Sequence, residues 1–356
     1  MSRIAFFAPL KPPTHANPSG DRSLARALIA ALAANPAGWA VDLASALRLR
    51  EGAGDADAQA RLQTAAADEV ARLAADPRDW SVWVTYHNYY KAPDLIGPAV
   101  ARARGIPYLL IEASRARKRL TGPWAGFAAA AEAACDAAAA ILSFTERDAA
   151  ALARDRPERQ RLIRIAPFLD TDTLPDPVVR ALGGREILAV GMMRPGDKLA
   201  SYRALAAALG RLPRPWSLRV VGDGAARCEV MTALAGLEAV FAGRLAGPAL
   251  ARAYDGADLL AWPGVNEAFG MVYLEAQAHG LPVVAEDRPG LREVVHAGGV
   301  LTPPGDPAAF AAAVRALLDD PARRVALGTA GRAAVAAEHL RPAATRSLWQ
   351  AIRGVL

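Results

Sequence analysis

The chain has 356 residues, more than twice the common domain size of about 150, so two domains are expected. Hydrophobic residues make up 53% and charged residues 22%, which excludes a disordered or fibrous chain. The net charge of +6 is spread evenly on either side of Leu182, so no basic tail asks for nucleic acid and none is expected as a partner.

In chain order, short apolar runs alternate with helical patterns, which predicts parallel sheets covered by helices. Ile4 to Pro9 is the first predicted strand, followed by a Pro/Gly/Ser/Asn-rich loop from Lys11 to Gly20. A helix carrying Leu24, Leu28 and Leu32 comes next. Further strands are predicted at 40–43, 81–86, 107–111, 140–144 and 162–166, with a polar helix near 57–73. The stretch from Asp170 to Gly184, with Pro175, Pro177, Gly183 and Gly184, reads as the linker. The pattern restarts with a strand at 186–191, a helix at 198–209 and a strand at 217–222 ending in Gly222-Asp223-Gly224. Later strands are predicted at 259–262 and 282–285, and a last helix after Pro342. The expected domains are 1–182 and 183–340, with 341–356 as a helix returning towards the first domain.

Trp124 to Leu142 is the best candidate for a membrane span, but it is alanine-rich and carries Glu132 and Asp136, so a helix of the fold explains it better. The start has no signal-peptide pattern, and Cys135 and Cys228 are far apart without histidine partners, so free thiols in the cytoplasm are expected. Of the 42 basic residues only Lys11, Lys91, Lys118 and Lys198 are lysine. Arg115, Arg117, Lys118 and Arg119, followed by Trp124 and Phe127, form either a solvated face or a patch for phosphate-bearing partners, such as an anionic membrane surface or a phosphorylated acceptor.

Chemistry concentrates between Trp262 and Ala285. A strand, a Pro/Gly loop, a helix expected from about Ala268 and a stop at Gly280 carry Glu267 in the loop and Glu275 in the helix body. Free amides near Phe269, Gly270 and Met271 would bind an anion, and Gly270 would let a phosphate approach the backbone. Carboxylates accept paired hydrogen bonds from sugar or ribose hydroxyls; the bland alternative for Glu267 is a helix cap.

The Glu267-x7-Glu275 pair with Phe269-Gly270, Gly280-x-Pro282-Val283-Val284-Ala285 and Leu291-Arg292-Glu293-Val294-Val295 resembles the donor site of retaining family-four glycosyltransferases of the GT-B fold, glycosyl transferases group 1. Val190-Gly191 before Arg194 and Lys198, Val220-Val221-Gly222-Asp223-Gly224, Phe241-Ala242-Gly243-Arg244 and Ala257-Asp258-Leu259 follow in family order. The resemblance is strong over Leu188 to Leu340 and weaker before it. It implies an α/β fold of two Rossmann-like domains facing across a cleft, and a metal-independent enzyme that moves a sugar from a nucleoside-diphosphate sugar to a glycan, lipid or small-molecule acceptor. No cofactor is implied beyond that donor substrate, and cell-surface glycan or glycolipid synthesis is the expected setting.

By the same resemblance, Arg194 and Lys198 would neutralise the donor diphosphate together with the helix start at Phe269, Gly270 and Met271. Glu275 would hold the ribose, Glu267 the transferring sugar, and the backbone at Arg244 and Leu245 the nucleobase. Met192 and Met193 stand where the family has its Arg directly after Gly, and a surface ion pair is the alternative for Arg194. Gly20, in Pro18-Ser19-Gly20-Asp21, stands in place of a Gly-Gly loop, and His87 in Tyr86-His87-Asn88-Tyr89-Tyr90-Lys91 resembles the family's sugar-contacting His. Tyr89, Tyr90 and Lys91 suit sugar or phosphate contact without a fixed role. His15, His279, His296 and His339 are expected to be structural.

Three rival motif readings bear on the function. Asp170-Thr171-Asp172 imitates a metal-binding Asp-x-Asp, though a turn fits its position better. Gly222-Asp223-Gly224 opens like a dinucleotide fingerprint but lacks the third Gly. No Gly-x-Ser-x-Gly, Walker or His-Glu-x-x-His sequence occurs. A non-catalytic nucleotide-sugar binder and an epimerase on the same fold are the alternatives in function.

Overall fold

The computed structural model describes residues 2–17, 19–35, 37–295 and 297–356, so Pro18 and His296 lie outside the described residues. The chain divides into two compact units, residues 1–166 with 341–356, and residues 167–340.

In the first unit the order is β1 (Arg3–Phe7), α1 (Gly20–Ala33), β2 (Ala40–Ser45), α2 (Ala56–Ala74), β3 (Trp80–Asn88), α3 (Gly97–Arg104) and β4 (Tyr108–Ala113). A 3-10 turn (Arg117–Arg119) follows, then α4 (Ala125–Ala137), β5 (Ala140–Ser143), α5 (Glu146–Ala153) and β6 (Arg161–Arg164). All six strands are parallel in the order β2-β1-β3-β4-β5-β6. Ile4, Ala5, Phe6 and Phe7 are fully buried, as expected of a strand covered on both faces, and each large side chain contributes about 1.5–3 kcal/mol by leaving water.

The second unit runs β7 (Glu186–Val190), α6 (Asp197–Leu209), β8 (Ser217–Val221), α7 (Arg227–Ala233), β9 (Ala239–Gly243), α8 (Pro248–Gly256) and β10 (Leu259–Ala261). It continues with α9 (Met271–Ala278), β11 (Val283–Glu286), α10 (Pro289–Val295), β12 (Gly299–Thr302), α11 (Pro307–Asp319) and α12 (Pro321–Glu338). Its six parallel strands lie in the order β12-β11-β10-β7-β8-β9, the doubly wound Rossmann arrangement. β9 and β12, which the apolar-run reading did not single out as strands, are the outer strands; Gly243 and Gly299 interrupt both runs.

The last helix, α13 (Arg341–Arg353), packs on α1 within the first unit. Thr345 donates to the Ala31 carbonyl at 3.0 Å and the Trp349 indole to the Leu32 carbonyl at 3.1 Å, while Trp349 meets Trp39 edge-on at 5.3 Å.

The division falls at Ala166/Pro167, ahead of the position expected from composition, because the Pro-rich stretch packs on the second unit. The Arg180 guanidinium donates to four carbonyls, those of Ala257 (2.8 Å), Tyr254 (3.1 Å), His279 (2.8 Å) and Gly280 (3.2 Å). Among the described residues no helix is long and apolar enough to cross a membrane; Trp124 to Leu142 divides into α4 and β5.

Two loops of the second unit approach so closely that only glycine fits. A Cβ on Gly222 (φ +147°) would lie 1.9 Å from the Gly191 carbonyl oxygen, and one on Gly224 (φ +151°) 2.3 Å from that of Met193. Met193 N donates to Asp223 O at 3.0 Å and Ala226 N to Met193 O at 2.8 Å, so the β7 and β8 loops are joined through backbone. This packing gives the Gly222-Asp223-Gly224 sequence a reason that needs no dinucleotide. Gly222→Ala is expected to destabilise the protein by about 2–4 kcal/mol, from overpacking and backbone strain together, read from the midpoint of urea unfolding.

Candidate active site

Each sheet has one place where the strand order reverses, and in open parallel sheets ligands bind at the carboxyl ends of the strands beside that reversal. In the second unit the chain lays β8 and β9 on one side of β7, then returns to place β10, β11 and β12 on the other. The loops after β7 and β10 therefore start side by side. Lys198 lies in the first turn of α6, and Glu267 in the loop after β10; the Lys198 ammonium pairs with Glu267 Oε1, both side chains being almost covered.

That carboxylate is held from several sides. The Trp262 indole donates to Glu267 Oε1 at 3.2 Å, and Lys198 Nζ lies 5.7 Å from the Trp262 ring centre. Trp262 is fully buried and edge-on to Tyr202 at 4.8 Å. The loop itself is tied to α6, since Val265 N donates to Ser201 Oγ at 2.9 Å and Asn266 Nδ2 to Asp197 Oδ2 at 2.9 Å. Gly264 (φ +73°) has no room for a side chain, as a Cβ would meet the Tyr273 hydroxyl at 2.3 Å. Glu267 is thus a charge partner and not a helix cap.

Helix α9 begins at Met271, not near Ala268, because Gly270 takes a left-handed conformation (φ +62°, ψ +84°) that ends the loop. Its unbonded first-turn amides are those of Met271 and Val272, while Tyr273 N already donates to Gly270 O at 3.1 Å. Phe269 is buried, and Gly270 and Met271 are half-buried. Glu275 therefore sits one turn into the helix. Its Oε2 accepts the Tyr254 hydroxyl at 2.6 Å, and burial pushes its pKa above the ordinary carboxylate value, the Tyr254 hydrogen bond opposing this only in part.

Arg194 is exposed in the loop after β7, with no carboxylate within ion-pair distance among the described residues, which removes the surface-pair alternative. Arg244 is exposed and Leu245 half-buried just past β9. All expected donor residues of the second unit thus follow the carboxyl ends of β7, β9 and β10. Asp170-Thr171-Asp172 forms a bend in which Thr171 Oγ1 donates to Thr173 O at 3.0 Å, and no group of three or more metal-ligating His, Cys, Asp or Glu occurs among the described residues.

In the first unit the reversal lies between β1 and β3. Gly20 opens α1, capped by Ser19, and has open space where a side chain would stand. His87 lies near the end of β3 with φ +72°, and Glu112 near the end of β4 with φ +58°. Such backbone is costly for non-glycine residues and collects at functional sites. His87 Nδ1 is 3.8 Å from Glu112 Oε2, and His87 Nε2 is 3.7 Å from Asp21 Oδ1. Both His87 Nε2 and Glu112 Oε2 are buried without a hydrogen-bond partner among the described residues. Burial opposes charging of His87, but Glu112 and Asp21 outweigh it and hold its pKa above the ordinary value. Burial in turn raises Glu112, and pairing with His87 lowers Asp21.

The motif reading gave no role to Trp262 as a positioning group or to Asp21, and passed over Glu112. The first turn of α1 brings Asp21 to His87, and the neighbouring strand β4 brings Glu112. The basic cluster also resolves: Arg115 is neutralised by Glu132 (2.7 Å) and Asp136 (2.6 Å), and Arg117 by Asp155 (2.9 Å), which leaves Lys118 and Arg119. His279 and His339 hold Asp255 (2.7 Å) and the Pro167 carbonyl (2.6 Å), and the His15 Nδ1 accepts from Asn17 N.

Both sheets with this strand order, taken with the solved structures, are the GT-B architecture. Sucrose-phosphate synthase from Thermosynechococcus elongatus superposes with a TM-score of 0.74 over 99% of both chains at 22% identity. Anabaena HepE in complex with UDP gives 0.72 over 99% of this chain and 100% of that one at 16% identity. Residues 184–320 match the family described as glycosyl transferases group 1. The chain has the GT-B fold, and part of its second unit is similar to that family. A D-inositol 3-phosphate glycosyltransferase of Kineococcus radiotolerans is 48% identical over 89 residues, 22% of this chain and 20% of that protein. A GDP-mannose-dependent alpha-mannosyltransferase of Mycolicibacterium smegmatis is 39% identical over 158 residues, 43% of this chain and 40% of that protein. The chain thus spans about a fifth to two fifths of the length of these curated relatives.

A histidine with a raised folded-state pKa lends stability that is fully present below its unfolded value, about 6.5, and is lost as pH rises through the folded value. An NMR titration of the His87 ring is expected to give a midpoint above 6.5 that falls in Glu112→Gln, because burial is then opposed by Asp21 alone. A wild-type midpoint at or below 6.5 contradicts the charge arrangement.

Proposed function

We propose that this protein is a retaining hexosyltransferase that moves a sugar from a nucleoside-diphosphate sugar to an acceptor hydroxyl without a metal ion. The observation that carries the reading is the Lys198–Glu267 pair at the β7/β10 reversal, beside the start of α9. An ammonium, the nearby Arg194 and two free amides make a field for a diphosphate; a carboxylate next to them accepts hydrogen bonds from sugar hydroxyls.

On this reading the diphosphate takes over the Lys198 ammonium from Glu267 and rests against the amides of Met271 and Val272. Arg194 adds charge from the β7 loop. Glu275, oriented by Tyr254, accepts the ribose hydroxyls, and the backbone at Arg244 and Leu245 faces the base. Glu267, released from Lys198 but still held by the Trp262 indole, grips the transferring sugar and does not attack it. The acceptor oxygen then bonds to the anomeric carbon from the face that the phosphate leaves. The carbon–oxygen bond to the phosphate breaks, and the acceptor's proton passes to a phosphate oxygen. Configuration is retained, and the growing charge on the phosphate is what Lys198 stabilises.

The first unit takes the acceptor, beside the cluster of His87, Glu112 and Asp21. Cys135 and Cys228 are free thiols, which suits a reducing compartment and the cytoplasmic placement adopted here. The family match and the activities of the two relatives support the transferase class over a non-catalytic binder or an epimerase.

Incubation with a panel of nucleoside-diphosphate sugars and acceptors, followed by detection of released nucleotide and glycosylated product, tests the reading; nucleotide-sugar binding without release overturns it. Lys198→Ala is expected to lower kcat by about 10²–10³-fold with a smaller change in donor KM, because the lysine acts chiefly on charge that develops as the bond breaks. EDTA is expected to leave the rate unchanged, and a strict divalent-cation requirement overturns the metal-free part.

A further inference from the structure

We propose that the loops after β3 and β4 of the first unit form a subsite for a phosphate monoester, gripped by Lys91 and Arg119, so that the acceptor is a phosphorylated compound. This inference rests on the reading of the first unit as the acceptor unit.

Two cations share one pair of aromatic rings. Lys91 Nζ lies 5.0 Å from the Trp124 ring centre and 5.7 Å from that of Tyr90; the Arg119 guanidinium carbon lies 5.5 Å and 5.1 Å from the same two. The rings themselves meet edge-on at 5.6 Å. Neither cation has a carboxylate within ion-pair distance among the described residues, so ring faces stand in for a counter-ion. The nearby Glu51 carboxylate is already engaged by the amides of Ala53 (2.5 Å) and Gly54 (2.6 Å), and the Tyr89 ring stands edge-on to Tyr90 at 5.8 Å. The Trp124 indole N–H and the Arg119 Nε–H are both buried with no hydrogen-bond partner among the described residues. Like charges held together and N–H groups left without acceptors are both answered by one oxyanion.

The rest of the surroundings fix these groups. Tyr89 and Ala92 close a tight turn through two backbone hydrogen bonds, and Lys91 O accepts Glu51 N at 2.9 Å. Asn88 Oδ1 accepts Asp94 N at 2.9 Å just beyond. On the other loop, Glu132 holds Ala116 N at 2.9 Å, and Gln59 donates to Pro123 O at 2.9 Å. The ends of both loops are thus anchored while Lys91 and Arg119 stay uncommitted, as a pre-organised anion site requires. Tyr89 is two residues from His87, which places the subsite on the same sheet edge as the His87, Glu112 and Asp21 cluster.

Direct binding tests this apart from catalysis. Calorimetric titration of the full chain with inorganic phosphate and with glucose 6-phosphate is expected to show binding that weakens about tenfold or more in Lys91→Met and in Arg119→Met, while Lys118→Met stays within about twofold. Unchanged melting temperatures in the variants confirm that they fold. Sedimentation with phosphatidic acid vesicles identifies the source of the phosphate. Vesicle binding that needs Lys91 and Arg119 and exceeds binding of the soluble probes supports a lipid headgroup; soluble-probe binding alone supports a free phosphorylated acceptor. No binding in either arm, or an equal loss in Lys118→Met, overturns the subsite. Lys91-dependent phosphate binding in a protein that releases no nucleotide from any nucleotide sugar keeps the subsite and overturns the transferase reading instead.

Discussion

The ion pair between Lys198 and Glu267 is the contact around which the second unit is arranged. Removing an ammonium and a carboxylate from water costs several kcal/mol each, and that cost is offset only when geometry and further hydrogen bonds are favourable. The fold meets both conditions by topology. The strand order puts the ends of β7 and β10 next to each other, so the first turn of α6 and the β10 loop have to meet. Trp262, buried between Tyr202 and the loop, adds its N–H to the carboxylate, and Ser201 and Asp197 tie the loop backbone and Asn266 to α6. The pair is therefore less a source of stability than a means of keeping two opposite charges at a fixed address.

The two sheets keep their carboxyl edges in order by different means. In the second unit glycines let backbones touch, as where a Cβ on Gly290 would lie 1.6 Å from the Ala268 carbonyl oxygen, so that α10 supports the β10 loop directly. In the first unit His87 and Glu112, with side chains, occupy left-handed backbone conformations, and His87 Nε2 and Glu112 Oε2 are buried without a hydrogen-bond partner among the described residues. One edge is rigid through close packing, whereas the other holds strain and unsatisfied charge.

Much of this was legible in the sequence, and the limits have physical causes. Buried parallel strands such as 4–9 and 259–262 announce themselves as continuous apolar runs, and the Glu267-x7-Glu275 spacing survives because loop and helix are contiguous in the chain. β9 and β12 escaped because edge strands are short and half-exposed, so their apolar pattern is diluted. The start of α9 was placed too early because the left-handed turn at Gly270 depends on Tyr273 packing, not on local propensity. Asp21 reaches His87 from the first turn of α1 and Glu112 from the paired strand β4, and Arg115 and Arg117 lose their apparent availability to acids on other elements. Sequence neighbours define candidates; the pairing of distant elements decides which charges remain free.

Free charge is what connects the two proposed sites. At the donor edge, Lys198 is engaged by Glu267, so any ligand has to compete with a carboxylate already in place. A singly charged or neutral compound offers the ammonium no improvement, whereas a diphosphate brings more negative charge and finds the α9 amides as well. On the proposed reading, the displaced Glu267 becomes an acceptor at the moment a sugar hydroxyl needs one. Exchange of partners couples recognition of the diphosphate to recognition of the sugar, so neither half of the donor alone completes the site. At the proposed acceptor edge, by contrast, Lys91 and Arg119 have no carboxylate within ion-pair distance among the described residues, so an incoming phosphate would meet attraction without displacing a partner. The first arrangement selects by exchange and the second captures by charge, which fits a donor that has to be discriminated and an acceptor that has to be held.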